Sequence, residues 1–306
     1  MKIIYMGTPD FAVAALEKIY GIYGVAAVVT QPDKPKGRGY ELVSTPVKAS
    51  ALERNIPVYQ PNTLKNGELM PLLDEIKPDL IVVCAYGKIL PEYILNYPKY
   101  GCINIHASLL PKYRGAAPIN WCIIDGEKQS GVTIMKMEKG LDTGDMIAKA
   151  AVDITEDTTA GILHDKLSLL GAELVTEAID SLEKGTAVFE KQDDSKSCYA
   201  KMLNKEICKI DFNKDAVAVA NHINGLSPFP GAYFTLEGKI IKVTLARADS
   251  EAIPAGVIPD GKSLKVGTNN GSVTLLRVKP EGKKEMDGAG FMAGRRQKGG
   301  KSDDMV

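Results

Sequence analysis

Hydrophobic positions along this chain follow two different regimes, and the change between them lies near residue 190. In the first regime, short runs of apolar, often β-branched residues alternate with segments of helical spacing, the pattern of strands buried on both faces and joined by crossover helices. Lys2 to Met6 predicts a first strand, Gly7-Thr8-Pro9-Asp10 a turn, and Phe11 to Tyr20 a helix with Phe11, Ala14, Ala15 and Ile19 on its apolar face. Further strands are predicted at Val25 to Thr30, Pro57 to Tyr59, Asp79 to Ala85, Gly101 to His106, Ser130 to Met137 and Met146 to Ile154. Between them the spacing predicts helices at Pro46 to Arg54, Leu64 to Ile76 with a break near Pro71, Ala116 to Asp125, and from Thr155 or Asp157 to Lys184. Strand, turn and helix in succession describe a doubly wound open sheet.

The second regime follows Gln192-Asp193-Asp194-Ser195-Lys196-Ser197, a polar stretch without periodicity that reads as a linker. A helix from Asp215 to Asn224 then leads to closely spaced alternating strands at Ala232 to Leu236, Lys239 to Ala246, Ser263 to Thr268 and Gly271 to Val278. Turns at Glu237-Gly238, Asp260-Gly261 and Asn270-Gly271 separate them, the signature of a small β-barrel. Gly299 to Val306 reads as a solvated tail.

Composition changes this picture little. With 44% hydrophobic and 25% charged residues, the chain reads as a soluble globular protein. Lys plus Arg equals Asp plus Glu, so overall charge indicates no nucleic-acid partner, yet residues from Asn204 onward hold 16 basic against 12 acidic side chains. That mild excess fits a polyanionic ligand. Five cysteines without C-x-x-C spacing predict a reduced, cytoplasmic protein lacking a zinc site or disulfide framework. Met1 to Met6 is too short an apolar run for a signal peptide, and no segment approaches the ~20 apolar residues that span a bilayer, so neither export nor membrane insertion is expected. Trp121 is expected in the core.

Candidate chemistry concentrates at Gly101 to Gly115. On an extended strand Cys102, Asn104 and His106 share one face while Ile103 and Ile105 take the other, so an amide and an imidazole stand side by side where the strand ends. Such a pair can hold a carbonyl oxygen and manage a proton. The acidic loop Glu138 to Asp145 offers Asp142, which near His106 would favour the charged imidazolium and fix its tautomer. The loop Gln31 to Tyr40 gathers Lys34, Lys36 and Arg38 between prolines and glycines, which predicts an irregular basic connector at the ligand-binding edge of the sheet.

The motifs Met6-Gly7-Thr8-Pro9-Asp10-Phe11, Cys102-Ile103-Asn104-Ile105-His106-Ala107-Ser108-Leu109-Leu110-Pro111, Arg114-Gly115-Ala116-Ala117-Pro118-Ile119 and Gly140-Leu141-Asp142-Thr143-Gly144-Asp145, with the loop Gln31 to Arg38, resemble the methionyl-tRNA formyltransferase family over nearly the whole chain. The Asn104, His106 and Asp142 set marks the wider group of 10-formyltetrahydrofolate-dependent transferases. The resemblance implies a Rossmann-like, open, mostly parallel sheet as catalytic domain (1–184), a linker (185–203) and a C-terminal β-barrel resembling an OB-fold that binds tRNA (204–306). It implies catalysis by Asn104, His106 and Asp142, folate contacts from Ser108, Leu109, Leu110 and Pro111, and acceptor-stem contacts from Lys34, Lys36 and Arg38. The implied co-substrate is 10-formyltetrahydrofolate without a metal, and the implied partner is initiator methionyl-tRNA; nothing in the sequence requires a dimer, so a monomer is expected. An amino-sugar formyltransferase is the nearest alternative. A dinucleotide-dependent oxidoreductase is disfavoured by the missing G-x-G-x-x-G, and a non-catalytic RNA-binding protein leaves the Asn, His and Asp set unused.

Overall fold

The apolar run at the start of the chain forms the strand Ile3–Gly7 (β1), buried at all five positions. It is followed by the helix Val13–Tyr23 (α1), entered through a tight turn at Asp10–Ala12. Ala27–Val29 (β2), the hairpin strands Lys34–Lys36 (β3) and Glu41–Val43 (β4), the helix Pro46–Glu53 (α2), Val58–Tyr59 (β5) and the helix Met70–Ile76 (α3) come next. Thr45 caps α2, its Oγ1 accepting from the Lys48 N–H at 3.1 Å, and Pro46 stands in the first turn, where a missing N–H costs nothing. Leu80–Cys84 (β6), Glu92–Leu95 (α4), Cys102–His106 (β7), Gln129–Lys136 (β8), Met146–Asp153 (β9) and Ala160–Lys184 (α5) complete this half.

This computed structural model describes residues 1–36, 41–297 and 304–305. Contacts divide them into one unit of residues 1–115, 131–152 and 165–199 and another of 116–130, 153–164 and 200–306. In the first unit the sheet runs β9-β8-β7-β6-β1-β2-β5. β1 pairs in parallel with β2 and β6, β2 with β5 and β6 with β7, while β8 is antiparallel to β7. The sheet is therefore open and mostly parallel. Ile4, Met6, Ile81 and Val83 from one of its faces share a buried cluster with Leu72 and Leu73 of α3 and Ile94 of α4.

In the second unit the helix Ala216–Gly225 (α6) turns Val219, Ala220 and Ile223 onto the inner face of an antiparallel half-barrel. Its strands are Ala232–Leu236 (β10), Lys239–Asp249 (β11), Lys265–Thr268 (β13), Gly271–Pro280 (β14) and Met286–Asp287 (β15), while Val257–Ile258 (β12) lies outside that sheet. They run β10-β11-β14-β13, with β15 also on β14. Irregular register between Val243 and Ala246 lets the long β11 bend. The helix Gly288–Gln297 (α7) follows, and its Met292 is 2% exposed in the same core.

Several expectations need correction. Pro71 does not break a helix; it lies in the first turn of α3, preceded by a separate turn at Lys65–Gly67. Lys34 to Lys36 is not irregular but pairs antiparallel with Glu41 to Val43, because Pro35 sits in a two-stranded ribbon that leaves one side of each strand unpaired. Trp121 is half-buried rather than core, its indole N–H donating to the Lys201 carbonyl at 2.8 Å, as an amphipathic ring permits. Within the expected tail, Asp304–Met305 pairs with β12.

Candidate active site

Strand β7 is held from both sides, parallel to β6 with Val83 opposite Asn104, and antiparallel to β8 with Met135 opposite Asn104 and Thr133 opposite His106. Ile103 and Ile105 are core, as their period-two positions require. The opposite face is more closed than the sequence suggests. Cys102 is sealed in the apolar cluster with its Sγ 3.5 Å from the Ile94 carbonyl, so of the three residues on that face Asn104 alone is half-exposed. Burial pushes the Cys102 thiol up to about 12, which leaves no thiolate beside Asn104 at neutral pH.

His106 is 5% exposed. Its Nε2 lies 2.9 Å from the carbonyl oxygen of Tyr113, which can only accept, so Nε2 carries a hydrogen. Nδ1 therefore faces Asp142, 3.7 Å from Oδ2. The same Oδ2 accepts from the Gly115 N–H at 2.8 Å. Tyr113 and Asp142 both adopt left-handed backbone, at φ 61 and 54, a region costly for a bulky Tyr and tolerated by Asp. Two unusual backbone positions thus bracket the imidazole, one presenting a carbonyl and the other a carboxylate. Gly144 closes the Asp142 loop so tightly that a Cβ there would stand 1.9 Å from the Lys136 carbonyl oxygen.

The remaining sequence candidates are differently disposed. Ser108 is buried and its Oγ donates to the Lys112 carbonyl at 2.6 Å, while its own carbonyl accepts from Thr133 Oγ1 at 2.7 Å. Leu110 is buried with Met135 and Met146, whereas Leu109 and Pro111 keep partial exposure. Lys34 is exposed and Lys36 lies on β3; Arg38 falls outside the described residues. Lys34 also lines a cavity of about 350 Å³ with Thr8, Gln31, Thr45, Tyr86 and Gly87, at the carboxyl ends of β1, β2 and β6. That edge is where open α/β sheets receive ligands. Thr8 Oγ1 and Gln31 Nε2 both donate to the Tyr86 carbonyl there, at 3.0 and 2.9 Å. Among the described residues no group of three or more His, Cys, Asp or Glu side chains is disposed to hold a metal ion.

A family model described as formyl transferase matches residues 1–179, and one described as the formyl transferase C-terminal domain matches residues 202–296. A methionyl-tRNA formyltransferase of Geobacter metallireducens is 48% identical over 299 residues, 97% of this chain and 96% of that relative. One of Geobacter sulfurreducens is 49% identical, with 97% and 94% covered. The chain belongs to the methionyl-tRNA formyltransferase family. Beyond the family, an N-formyltransferase of Helicobacter canadensis, solved on folinic acid and dTDP-3-aminofucose, shares the fold with a TM-score of 0.69 at 20% identity, covering 90% of this chain and 98% of that one.

Asn104, His106 and Asp142 all lie within the matched formyl transferase segment. The arrangement offers amide donors, an imidazole with one nitrogen already committed, and a carboxylate within ion-pair distance of the other nitrogen. Such a set suits a reaction in which charge develops on a carbonyl oxygen while an amine loses a proton. Sequence reasoning missed the Tyr113 carbonyl and the Gly115 N–H. Both are backbone atoms, and no side-chain pattern announces them.

No helix among the described residues is long and apolar enough to cross a membrane.

Proposed function

We propose that this chain transfers the formyl group of 10-formyltetrahydrofolate to the α-amino group of methionine on initiator methionyl-tRNA. The observation that carries this reading is the placement of His106 Nδ1 3.7 Å from Asp142 Oδ2, two residues along the strand from Asn104, in a chain of this family.

The neutral α-amine attacks the formyl carbon, a C–N bond forms, and negative charge gathers on the formyl oxygen. Asn104 Nδ2 donates to that oxygen, and His106 joins it by exchanging its Nε2 contact with the Tyr113 carbonyl for the substrate oxygen; loss of one such donor typically costs ~10²- to 10³-fold in turnover. Asp142, beside His106, receives the proton shed by the attacking amine. When the bond from carbon to folate N10 breaks, N10 takes up the proton that Asp142 received, leaving tetrahydrofolate, N-formylmethionyl-tRNA and an ionised Asp142. Leu109 and Pro111, the partly exposed members of the loop, are assigned to the folate, with Ser108 and Leu110 fixing the loop from inside.

Lys34, Lys36 and Arg38 are assigned to the acceptor stem, and the cavity lined by Lys34 to the acceptor end. In this reading residues 1–184 catalyse, 185–203 connect, and 204–306 hold the tRNA body. Register supports the last assignment: Lys209 bridges to Tyr233, Tyr233 pairs with Lys242, and Lys242 pairs with Lys279, a row whose three lysines are exposed. Such a row suits a phosphodiester backbone. We also propose a monomer working in the cytoplasm.

A transfer assay with labelled 10-formyltetrahydrofolate tests the reading against three acceptors: charged initiator tRNA, the same tRNA uncharged, and a nucleotide-linked amino sugar. Label is expected on the charged tRNA alone. Transfer to the amino sugar in preference to the tRNA would overturn the acceptor assignment.

A further inference from the structure

Asp142 sits on a glycine-bounded loop in left-handed backbone, with φ 54, and two carbonyls of that loop are held from outside it. Gln192 reaches this loop from the stretch that the sequence reads as linker. Its Nε2 donates to the carbonyl oxygens of Asp142 and Gly144, each at 2.8 Å. Its Oε1 accepts from Arg114 Nε at 3.0 Å and Nη2 at 2.8 Å. Both amide hydrogens and both acceptor positions are therefore used.

Arg114 is 3% exposed and, besides Gln192, is held by two further contacts. Its Nη2 meets Asp194 Oδ1 at 2.7 Å, and its backbone N–H donates to the Cys198 carbonyl at 2.9 Å. The next residue, Gly115, supplies the N–H on the Asp142 carboxylate. One neighbouring pair, 114 and 115, thus anchors Asp142 twice: through Gln192 at its backbone, and directly at its carboxylate.

We infer that Gln192 and Arg114 are positioning residues for the transfer, holding Asp142 at its working distance from His106, and that residues 192–198 act as a strap rather than a passive connection. The inference rests on the role proposed above for Asp142. Without the amide, the Asp142 loop loses both hydrogen bonds that fix its carbonyls, and the residue relaxes toward ordinary backbone regions. A displacement of about 1 Å at a reacting group can cost ~10²-fold in rate.

The test uses steady-state formylation of charged initiator tRNA by the full chain, with Gln192→Ala and Gln192→Glu each made in the wild-type and Asp142→Asn backgrounds. Asn accepts left-handed backbone as Asp does, so the background removes charge with little change of fold. Gln192→Ala is expected to lower kcat about 10- to 100-fold while the KM for tRNA stays within about twofold. In the Asp142→Asn background the same replacement is expected to change kcat by less than about twofold, because the charge being positioned is gone. Gln192→Glu keeps the acceptor for Arg114 but cannot donate to the two carbonyls, and is expected to be as slow as Gln192→Ala. If Gln192→Ala fails to fold, the Glu variant carries the comparison. Equal fold-losses in both backgrounds, or wild-type kcat in Gln192→Glu, overturn the inference. Wild-type kcat in Asp142→Asn alone overturns the proposed role of Asp142 and this inference with it.

Discussion

Single residues in this chain do different work according to how far water is excluded from them. His106 is largely buried, yet both ring nitrogens have a use: Nε2 on a carbonyl and Nδ1 toward a carboxylate. His222 on α6 is the contrast. Its Nε2 is buried without a hydrogen-bond partner among the described residues, and burial first, with Lys214 adding to it, holds the imidazole below its usual range despite a hydrogen bond with the Ile207 backbone and the nearby Asp211. A histidine with a depressed folded pKa binds fewer protons folded than unfolded as pH falls past about 6.5, so its contribution to stability is full above that pH and is lost below it. Thermal denaturation of the full chain should show the C-terminal transition falling as pH drops from 7.5 to 5.5, both values being ~1 unit from the unfolded histidine pKa. His222→Gln should flatten that slope; an unchanged slope would assign the acid sensitivity elsewhere.

Elements are held in place by a few polar groups inside otherwise apolar packing. Asn224, near the end of α6 and 3% exposed, is the clearest case. Its Nδ2 donates to the Glu156 and Ala246 carbonyls at 3.1 and 2.9 Å, and its Oδ1 accepts from the Ala246 N–H at 3.0 Å. It therefore caps β11 at the irregular register, where the strand's own ladder is broken. Asn224→Ala leaves the Ala246 N–H and carbonyl buried without partners and should cost about 3 kcal/mol, read from chemical denaturation, against under about 0.5 kcal/mol for a surface change such as Lys262→Ala.

The same scale explains what the sequence did and did not disclose. β1 and β6 were legible because apolar runs as short as Ile3 to Met6 and Leu80 to Cys84 have few other ways to fold, and on β7 Asn104 with His106 stood out as polar types alternating with Ile103 and Ile105. The β3 and β4 hairpin was hidden by its prolines and glycines, which local reasoning takes as breakers. Gln192 was illegible for another reason. Its partners are 48 to 78 residues away in the chain, two of them are backbone carbonyls, and its own segment has no period.

At the scale of the molecule, two units bring different chemistry. The first supplies a mostly parallel sheet whose strand β7 carries the amide and imidazole, with the carboxylate brought to the imidazole by the loop after β8. The second supplies an antiparallel half-barrel with a cross-strand row of lysines. In the proposed function these tasks separate: chemistry at β7, grip on the nucleic acid largely elsewhere. Removing His106 should therefore damage the reaction without loosening the tRNA. The direct measurement is single-turnover formylation of charged initiator tRNA by wild type and His106→Ala, with the tRNA Kd of each determined in parallel. The account predicts a rate at least ~10²- to 10³-fold lower in the variant with a Kd within about twofold of wild type. A His106→Ala protein that formylates within a few-fold of the wild-type rate would contradict it.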